Sequence, residues 1–196
     1  MKISLFSNIV NVSRAFLKKS IHTTTIEMSK PKLIVFDLDM TMWPFHVDCM
    51  VDPPFRKNRD GKIYDNYNKH IKPFPDVPNI LEQLHSEGYK LGAASRTTCT
   101  DEAKQLVKLL DWEKYFHYKE IYPGCKVAHF KRFHEDSGIA YRDMLFFDDE
   151  YRNIADISKL GVTCIYTENG MSFPELTNGF KQFNDNQTKQ SSTKRS

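Results

Sequence analysis

The sequence predicts an α/β fold: a doubly wound parallel sheet in three layers, with helices on both faces. Short apolar runs, typical of strands buried on both faces, alternate with segments whose apolar residues recur at helical spacing. The chain has 196 residues, of which 40% are hydrophobic and 27% charged, enough for one globular domain with a small surplus. No stretch approaches the roughly 20 uncharged apolar residues of a membrane-spanning helix.

The predicted strands and helices follow one another in regular order. The strands are 33–36, 91–94, 144–147 and 162–166, with 116–122 as a weaker candidate. Helical periodicity appears between them, over 77–84, 103–110 and 127–136, around Ile154 and Ile157, and over 173–183. In such a fold the ligand site lies beyond the carboxyl ends of the strands.

Residues 42–75 interrupt this order with several prolines and a glycine. A structureless segment of that length is unusual inside a compact domain and is often functional. We predict a flap here that hangs over the strand ends and contains a hairpin with Asp60-Gly61 in its turn.

Charge is unevenly distributed along the chain, whose formal net charge is +3. Residues 1–26 contain four basic residues and no acid, and subtracting these four from the 28 basic residues leaves 24 against 25 acidic ones. A balanced body does not resemble a nucleic-acid binder. The basic, acid-poor segment 1–27 is typical of a mitochondrial targeting leader, with a surface helix or extension as the alternative. Because Met28 precedes the first strand, a start there would give a cytoplasmic form.

Two further features of the sequence are its cysteines and its carboxyl-terminal end. Its four cysteines, Cys49, Cys99, Cys125 and Cys164, contain no CxxC pair, which argues against a disulfide scaffold or a structural zinc site. We expect residues 28–184 to form the folded body. Residues 185–196 are polar, and we expect them to form a disordered tail after it.

Polar residues stand directly after four predicted strands. Asp37, Asp39 and Thr41 follow the first, Ser95 and Arg96 the second, Lys126 the third, and Asp148 and Asp149 the fourth. An Asp-x-Asp alone is usually a turn or a helix cap, but this order and spacing bring carboxylates, a lysine and a hydroxyl to one place. Clustered carboxylates need a cation, and an all-oxygen set favours Mg²⁺ shared with a substrate phosphate. The sequence therefore predicts phosphoryl-transfer chemistry.

At these residues the chain resembles the haloacid dehalogenase (HAD) superfamily of phosphatases, and more narrowly the eukaryotic magnesium-dependent phosphatase family. The similar segments are VFDLDMTMWPF, VDPPF, AASRT, EIYPGCKVAHF, FFDDEYRNI and LGVTCI. They extend over about residues 32–183, nearly the whole body. The resemblance implies an HAD-like, Rossmannoid fold without a large cap, with only the short flap after the first strand.

The resemblance also implies a role for each motif residue. Asp37 would be the nucleophile that becomes an aspartyl-phosphate, and Asp39 the general acid and base. Ser95, Lys126 and the backbone N–H groups near Leu38 and Arg96 would hold the phosphoryl oxygens.

Metal binding follows from the same comparison. Mg²⁺ would be held by Asp37, the backbone carbonyl of Asp39 and Asp149, with Asp148 in support. Asn153 stands where many relatives have a further acid.

Arg96 and His46 also lie near these motifs. The guanidinium of Arg96 would add a bidentate contact to phosphate or lie in solvent at a helix start. His46 stands where we expect an aromatic substrate contact in close relatives, so specificity would differ there.

We expect a monomeric hydrolase of phosphotyrosine proteins or small sugar phosphates that binds neither nucleic acid nor membrane. The alternative is a phosphate-accepting signalling module of the receiver type, also doubly wound, although its phosphoacceptor would follow the third strand. A carbon–halogen dehalogenase would lack Asp39, and a binding protein without turnover does not require every motif residue.

Overall fold

The computed structural model describes residues 29–193, with side chains as far as residue 189. The predicted leader, residues 1–27, therefore lies outside the described residues. In the described part of the chain, no helix is both long and apolar enough to cross a membrane. All four cysteines are free thiols.

Five parallel strands form the central sheet. They are β1 (Leu33–Phe36), β5 (Lys90–Ser95), β6 (Phe116–Ile121), β7 (Met144–Asp148) and β8 (Thr163–Tyr166), in the spatial order β6-β5-β1-β7-β8. Counted along the chain, this is the doubly wound order 3-2-1-4-5 of these five strands, and it differs from the 2-1-3-4-5 order of receiver-type folds. The winding direction reverses between β1 and β7, which is where such folds bind ligands.

Helices cover both faces of the sheet, as predicted. They are α1 (Val77–Ser86), α2 (Thr100–Leu109), α3 (Lys126–Ser137), α4 (Tyr151–Ser158) and α5 (Phe173–Thr193). Ile34 and Phe36 point into a core shared with α1, α2 and α5, while Leu33 and Val35 point into a second core with α3 and α4. The alternation of side chains along β1 thus produces the three layers.

The flap, residues 42–75, is an ordered part of the fold. It contains a small antiparallel sheet of β2 (Arg56–Lys57), β3 (Ile63–Tyr64) and β4 (His70–Ile71). Asp60-Gly61 lies in the turn between β2 and β3, as predicted, with Gly61 at a φ of +82° that favours glycine. Gln105 of α2 accepts a hydrogen bond from the backbone N–H of Phe55 at 3.1 Å and donates one to its carbonyl at 3.2 Å. The flap is therefore fastened to the body.

The carboxyl-terminal helix differs from the sequence prediction. Disorder was predicted from residue 185, but α5 continues to Thr193, and residues 194–196 lie outside the described part. The side chain of Asn186 donates to Thr163 Oγ1 at 3.1 Å, and that of Gln187 to the carbonyl of Arg142 at 2.6 Å. These contacts are polar and reach elements far away in the sequence, so apolar periodicity does not reveal them.

Candidate active site

A cavity opens at the carboxyl ends of β1, β5 and β7, next to the start of α3. Its volume is about 160 Å³, below the roughly 300 Å³ at which pockets for drug-sized ligands begin. It has room for a phosphoryl group and a hydrated ion, while the rest of a substrate would extend outwards. Its lining residues are Asp37, Asp39, His46, Asp48, Ser95, Arg96, Thr97, Lys126, Asp149, Glu150 and Asn153.

Lys126 joins two carboxylates at the bottom of this cavity. It is the first residue of α3, is buried, and its Nζ contacts Asp37 Oδ1 and Asp148 Oδ2 directly. Burial alone would lower the pKa of Lys126, but the charges of the two carboxylates more than offset this and raise it. Lys126 is therefore a fixed positive charge whose own side chain is almost closed to solvent.

Asp37 itself is strongly affected by its surroundings. Burial raises its pKa well above the usual range, Lys126 opposes this shift, and repulsion from Asp148 and Asp149 adds to it. The protein thus places three acids around one lysine, and negative charge is left incompletely neutralised.

Asp148 is fully buried and fully engaged. Besides Lys126, it accepts hydrogen bonds from the backbone N–H of Glu150 at 2.7 Å and from the Asn153 amide, which lies 3.1 Å from each of its oxygens. A carboxylate with these partners orients its neighbours rather than facing the cavity. The supporting role of Asp148 in metal binding stays a prediction.

Asp149 lies closer to the opening. Thr41 donates its hydroxyl to Asp149 Oδ1 at 3.1 Å, which links the loop after β1 to the loop after β7. Burial and the nearby charge of Asp148 raise the pKa of Asp149.

Asp39 is held by the flap. Trp43 donates its indole N–H to Oδ1 at 2.8 Å, and the backbone N–H of Val47 donates to Oδ2 at 3.1 Å. His46 Nδ1 lies 3.8 Å from Oδ2. Burial raises the pKa of Asp39 although these neighbours lower it, so the protonated form is favoured relative to an ordinary aspartic acid.

Ser95 and Leu38 complete the predicted phosphate-binding set. Ser95 is buried at the end of β5, and its Oγ accepts the N–H of Thr97 at 3.3 Å. The side chain of Leu38 is buried in the core, so Leu38 can contribute to the cavity only through its backbone.

Arg96 is engaged differently from either sequence interpretation. It lines the cavity, but its Nε donates to the carbonyl of Gly124 at 2.6 Å, and its Nη1 donates to Glu150 at 3.3 Å and to Asn153 at 3.0 Å. These contacts tie the loop before α3 to the start of α4. Neither prediction, a bidentate phosphate contact or a solvated arginine, includes this network. Its partners lie 28, 54 and 57 positions from Arg96 in the sequence.

Four of the lining residues were not predicted to lie in the site: Asp48, Thr97, Glu150 and, as a lining residue, Asn153. Thr97 directly follows Arg96, and Glu150 directly follows Asp149, so both could have been predicted from their position next to these residues. Asp48 lies in the flap, and its place in the cavity depends on the path of the flap, which no local sequence pattern indicates.

The donors present fit a magnesium ion. Asp37 and Asp149 face a cavity with excess negative charge, next to the loop that contains Asp39, and all are oxygen donors, the type that Mg²⁺ prefers. One ligand atom each from Asp39, His46 and Asp48 also lie within 4.8 Å of one another. Since both oxygens of Asp39 already accept hydrogen bonds, we assign no ion to that group.

A doubly wound sheet with acids, a lysine and a serine at its switch point is suited to binding and transferring a phosphoryl group. Residues 29–186 match the family described as Acid Phosphatase. The chain is 50% identical over 158 residues to Magnesium-dependent phosphatase 1 of Homo sapiens, covering 81% of this chain and 90% of that protein. It belongs to this family and is a magnesium-dependent phosphatase of the HAD superfamily.

Two further comparisons concern a curated relative and a solved structure. A HAD-like hydrolase superfamily protein of Schizosaccharomyces pombe is 41% identical over 144 residues, covering 68% of this chain and 83% of that protein. A magnesium complex of a HAD family enzyme from Bacteroides thetaiotaomicron superposes with a TM-score of 0.55 at 17% identity, covering 74% of this chain and 98% of that chain. At this identity the second comparison supports the fold alone.

Proposed function

We propose that the protein hydrolyses phosphate monoesters through an aspartyl-phosphate on Asp37. The observation that carries the proposal is that two acids on one loop have different hydrogen-bond partners. Asp37 contacts the cation of Lys126, whereas Asp39 is held by neutral donors, the indole of Trp43 and the N–H of Val47.

In the first step, a carboxylate oxygen of Asp37 attacks phosphorus, and the bond from phosphorus to the leaving oxygen breaks. Asp39 gives its proton to that oxygen and the alcohol departs. Lys126, the Ser95 hydroxyl and the backbone N–H groups at Leu38 and Arg96 stabilise charge on the phosphoryl oxygens.

In the second step, water attacks phosphorus and passes a proton to Asp39 as the bond to Asp37 breaks. Inorganic phosphate leaves, and Asp37 and Asp39 return to their starting states. Both donors on Asp39 come from the flap, which thereby fixes the orientation of this carboxyl group in the cavity lining.

We assign the magnesium to Asp37, the backbone carbonyl of Asp39 and Asp149. When bound there, the ion would supply positive charge that neutralises these acids and the substrate phosphate. Asp148 would act indirectly, because its oxygens are occupied by Lys126, Asn153 and the N–H of Glu150.

The substrates we propose are phosphotyrosine proteins or small sugar phosphates. A cavity that holds the phosphoryl group and leaves the rest of the molecule outside is compatible with both. A panel of sugar phosphates and phosphotyrosine peptides, with p-nitrophenyl phosphate as reference, would separate them. Activity that survives in excess EDTA would contradict the metal assignment.

Location and assembly are also proposals. We infer that residues 1–27 direct a mitochondrial form and that a start at Met28 gives a cytoplasmic one. A reporter fused to residues 1–27 should enter mitochondria, and a purely cytosolic reporter would overturn this. We expect a monomer, which sedimentation of the purified protein tests.

A further inference from the structure

His129 is a buried histidine that the proposed mechanism does not use. It lies on α3, about one turn after Lys126, and is fully inaccessible to solvent. Its two ring nitrogens face three backbone carbonyls. Nε2 lies 3.1 Å from the carbonyl oxygen of Ser95 and 3.0 Å from that of Tyr122, and Nδ1 lies 3.2 Å from that of Cys125.

These carbonyls belong to the segments that carry the proposed phosphate ligands. Ser95 ends β5, and the lysine loop, residues 122–125, leads directly into Lys126. The same loop is tied to the end of β5 by the N–H of Tyr122, which donates to the Ser95 carbonyl at 3.1 Å. The His129 ring thus sits at the junction of the two segments.

Ring packing fixes the orientation of His129. Its ring stacks on that of Tyr122, with centroids 4.1 Å apart and planes 9° from parallel. Because the imidazole can neither rotate freely nor reach water, its hydrogen bonds hold the two segments at a set separation.

The contacts also indicate which nitrogen carries the proton. A carbonyl can only accept, and Nε2 faces two carbonyls whereas Nδ1 faces one, so we assign the proton of the neutral ring to Nε2. The Cys125 carbonyl already accepts the N–H of Ala128 at 2.9 Å. The neutral Nε2–H tautomer therefore leaves none of the three carbonyls without a donor, and burial, which lowers the pKa of His129, favours the neutral ring.

We propose that His129 is a positioning residue for phosphate binding: its Nε2–H holds the end of β5 against the lysine loop and so sets Ser95 and Lys126 in register. This inference rests on the proposed roles of Ser95 and Lys126. An ordinary buried histidine would contribute to stability alone, so the test must separate phosphate affinity from stability.

The chain offers a control on the same helix, the exposed histidine His134. His134 Nδ1 lies 2.8 Å from the carbonyl oxygen of Ile139, away from the cavity. His134→Phe removes a contact of the same chemical type but touches no segment of the site.

The test compares His129→Phe, His129→Gln and His134→Phe. The phenyl ring of His129→Phe keeps the shape of the side chain but has no donor, while the Gln amide places a donor near the position of Nε2. We expect His129→Phe to lower kcat/KM for p-nitrophenyl phosphate by about tenfold to a hundredfold, the scale of a small misplacement of binding groups. The inhibition constant of inorganic phosphate should rise, His129→Gln should recover most of both losses, and His134→Phe should change neither.

Unchanged phosphate inhibition in His129→Phe, whatever its loss of thermal stability, would overturn the proposal. Ser95→Ala and Lys126→Met distinguish a failure of the proposed phosphate-binding roles from a failure of the positioning role of His129. If these variants also leave phosphate inhibition unchanged, the proposed roles of Ser95 and Lys126 fail; if they weaken it and His129→Phe does not, only the positioning role fails.

A measurement on the unaltered protein covers the case in which His129→Phe does not fold. In ¹⁵N-histidine NMR spectra, His129 should show a slowly exchanging proton on Nε2 whose signal shifts when magnesium and inorganic phosphate are added. A ring protonated on Nδ1 alone would contradict the proposal, as would an Nε2–H signal insensitive to phosphate.

Discussion

Two lysine–aspartate pairs lie at opposite ends of the same sheet. At the amino end, Lys32 pairs with Asp143 at 2.8 Å, and the lysine side chain is 65% exposed. At the carboxyl end, Lys126 contacts Asp37 and Asp148, and these three side chains are 1%, 9% and 0% exposed. The charge types are the same, but the surroundings differ.

Solvent decides what each pair can do. Water screens the exposed pair, and such pairs typically contribute no more than about 1 kcal/mol to stability. Around the buried pair, the exclusion of water strengthens electrostatic interactions, and removing one partner would leave a buried charge unpaired. Only the carboxyl-end pair is therefore suited to chemistry. Four substitutions test what this difference implies. The first two, at the buried pair, have counterparts at the exposed pair, and the last two test the neighbouring acid Asp39 and its support from the flap.

Asp37→Asn should have the largest effect. The amide cannot act as the nucleophile, so we expect hydrolysis of p-nitrophenyl phosphate to be abolished in steady-state assays. Asp143→Asn, at the exposed pair, should leave kcat and KM unchanged. Residual activity of Asp37→Asn that is proportional to enzyme concentration would argue against Asp37 as the nucleophile.

Lys126→Met should come next, since it removes the cation between Asp37 and Asp148. We expect kcat to fall by about a hundredfold to a thousandfold through lost charge stabilisation. Leaving two buried carboxylates without the lysine should also destabilise the fold by about 3–5 kcal/mol, measured by urea denaturation. Lys32→Met should cost no more than about 1 kcal/mol. Similar losses in both variants would remove the distinction between the pairs.

Asp39→Asn tests the second acid. It cannot deliver a proton to the leaving oxygen, so kcat should fall at least about a hundredfold, the scale of general-acid loss. The loss should be smaller for p-nitrophenyl phosphate than for an alkyl phosphate, because a good leaving group needs less protonation. An equal loss with both substrates would contradict the assignment of Asp39 as general acid.

Trp43→Phe should have the smallest effect. It removes the indole donor to Asp39 Oδ1 and leaves the flap backbone and the Val47 donor in place. We expect a decrease in kcat of several-fold to about thirtyfold, since a hydrogen bond to a charged group is worth about 1.5–3 kcal/mol and part of it is recovered by relaxation. Trp112→Phe is the matched control, because the Trp112 ring stacks on Trp43 at 6.0 Å without contacting Asp39.

The sequence predicted the main elements of the fold because they depend on local patterns. A strand such as Leu33–Phe36 is a run of four buried apolar residues, and helices such as α1 repeat their buried residues at helical spacing. The positions of Asp37, Ser95, Lys126 and Asp149 followed, because parallel strands bring their carboxyl ends to one edge.

What the sequence did not predict depends on contacts across the fold. The clamp by Arg96 on Gly124, Glu150 and Asn153 joins three separate loops, and no local pattern marks it. The support of Asp39 by Trp43 and Val47 requires the particular path of the flap. Helix α5 extends past residue 184 through polar contacts, which hydrophobic periodicity does not report.

The central claim is that Asp37 carries the phosphoryl group during turnover. Rapid acid quenching of the enzyme during hydrolysis of p-nitrophenyl phosphate, followed by borohydride reduction and peptide mass spectrometry, tests it most directly. We predict that position 37 is recovered as homoserine, the reduction product of an aspartyl-phosphate, in amounts that depend on both substrate and magnesium. Recovery of unmodified Asp37 under quench conditions that preserve a control aspartyl-phosphate, or of the modification at another acid such as Asp149, would contradict the account.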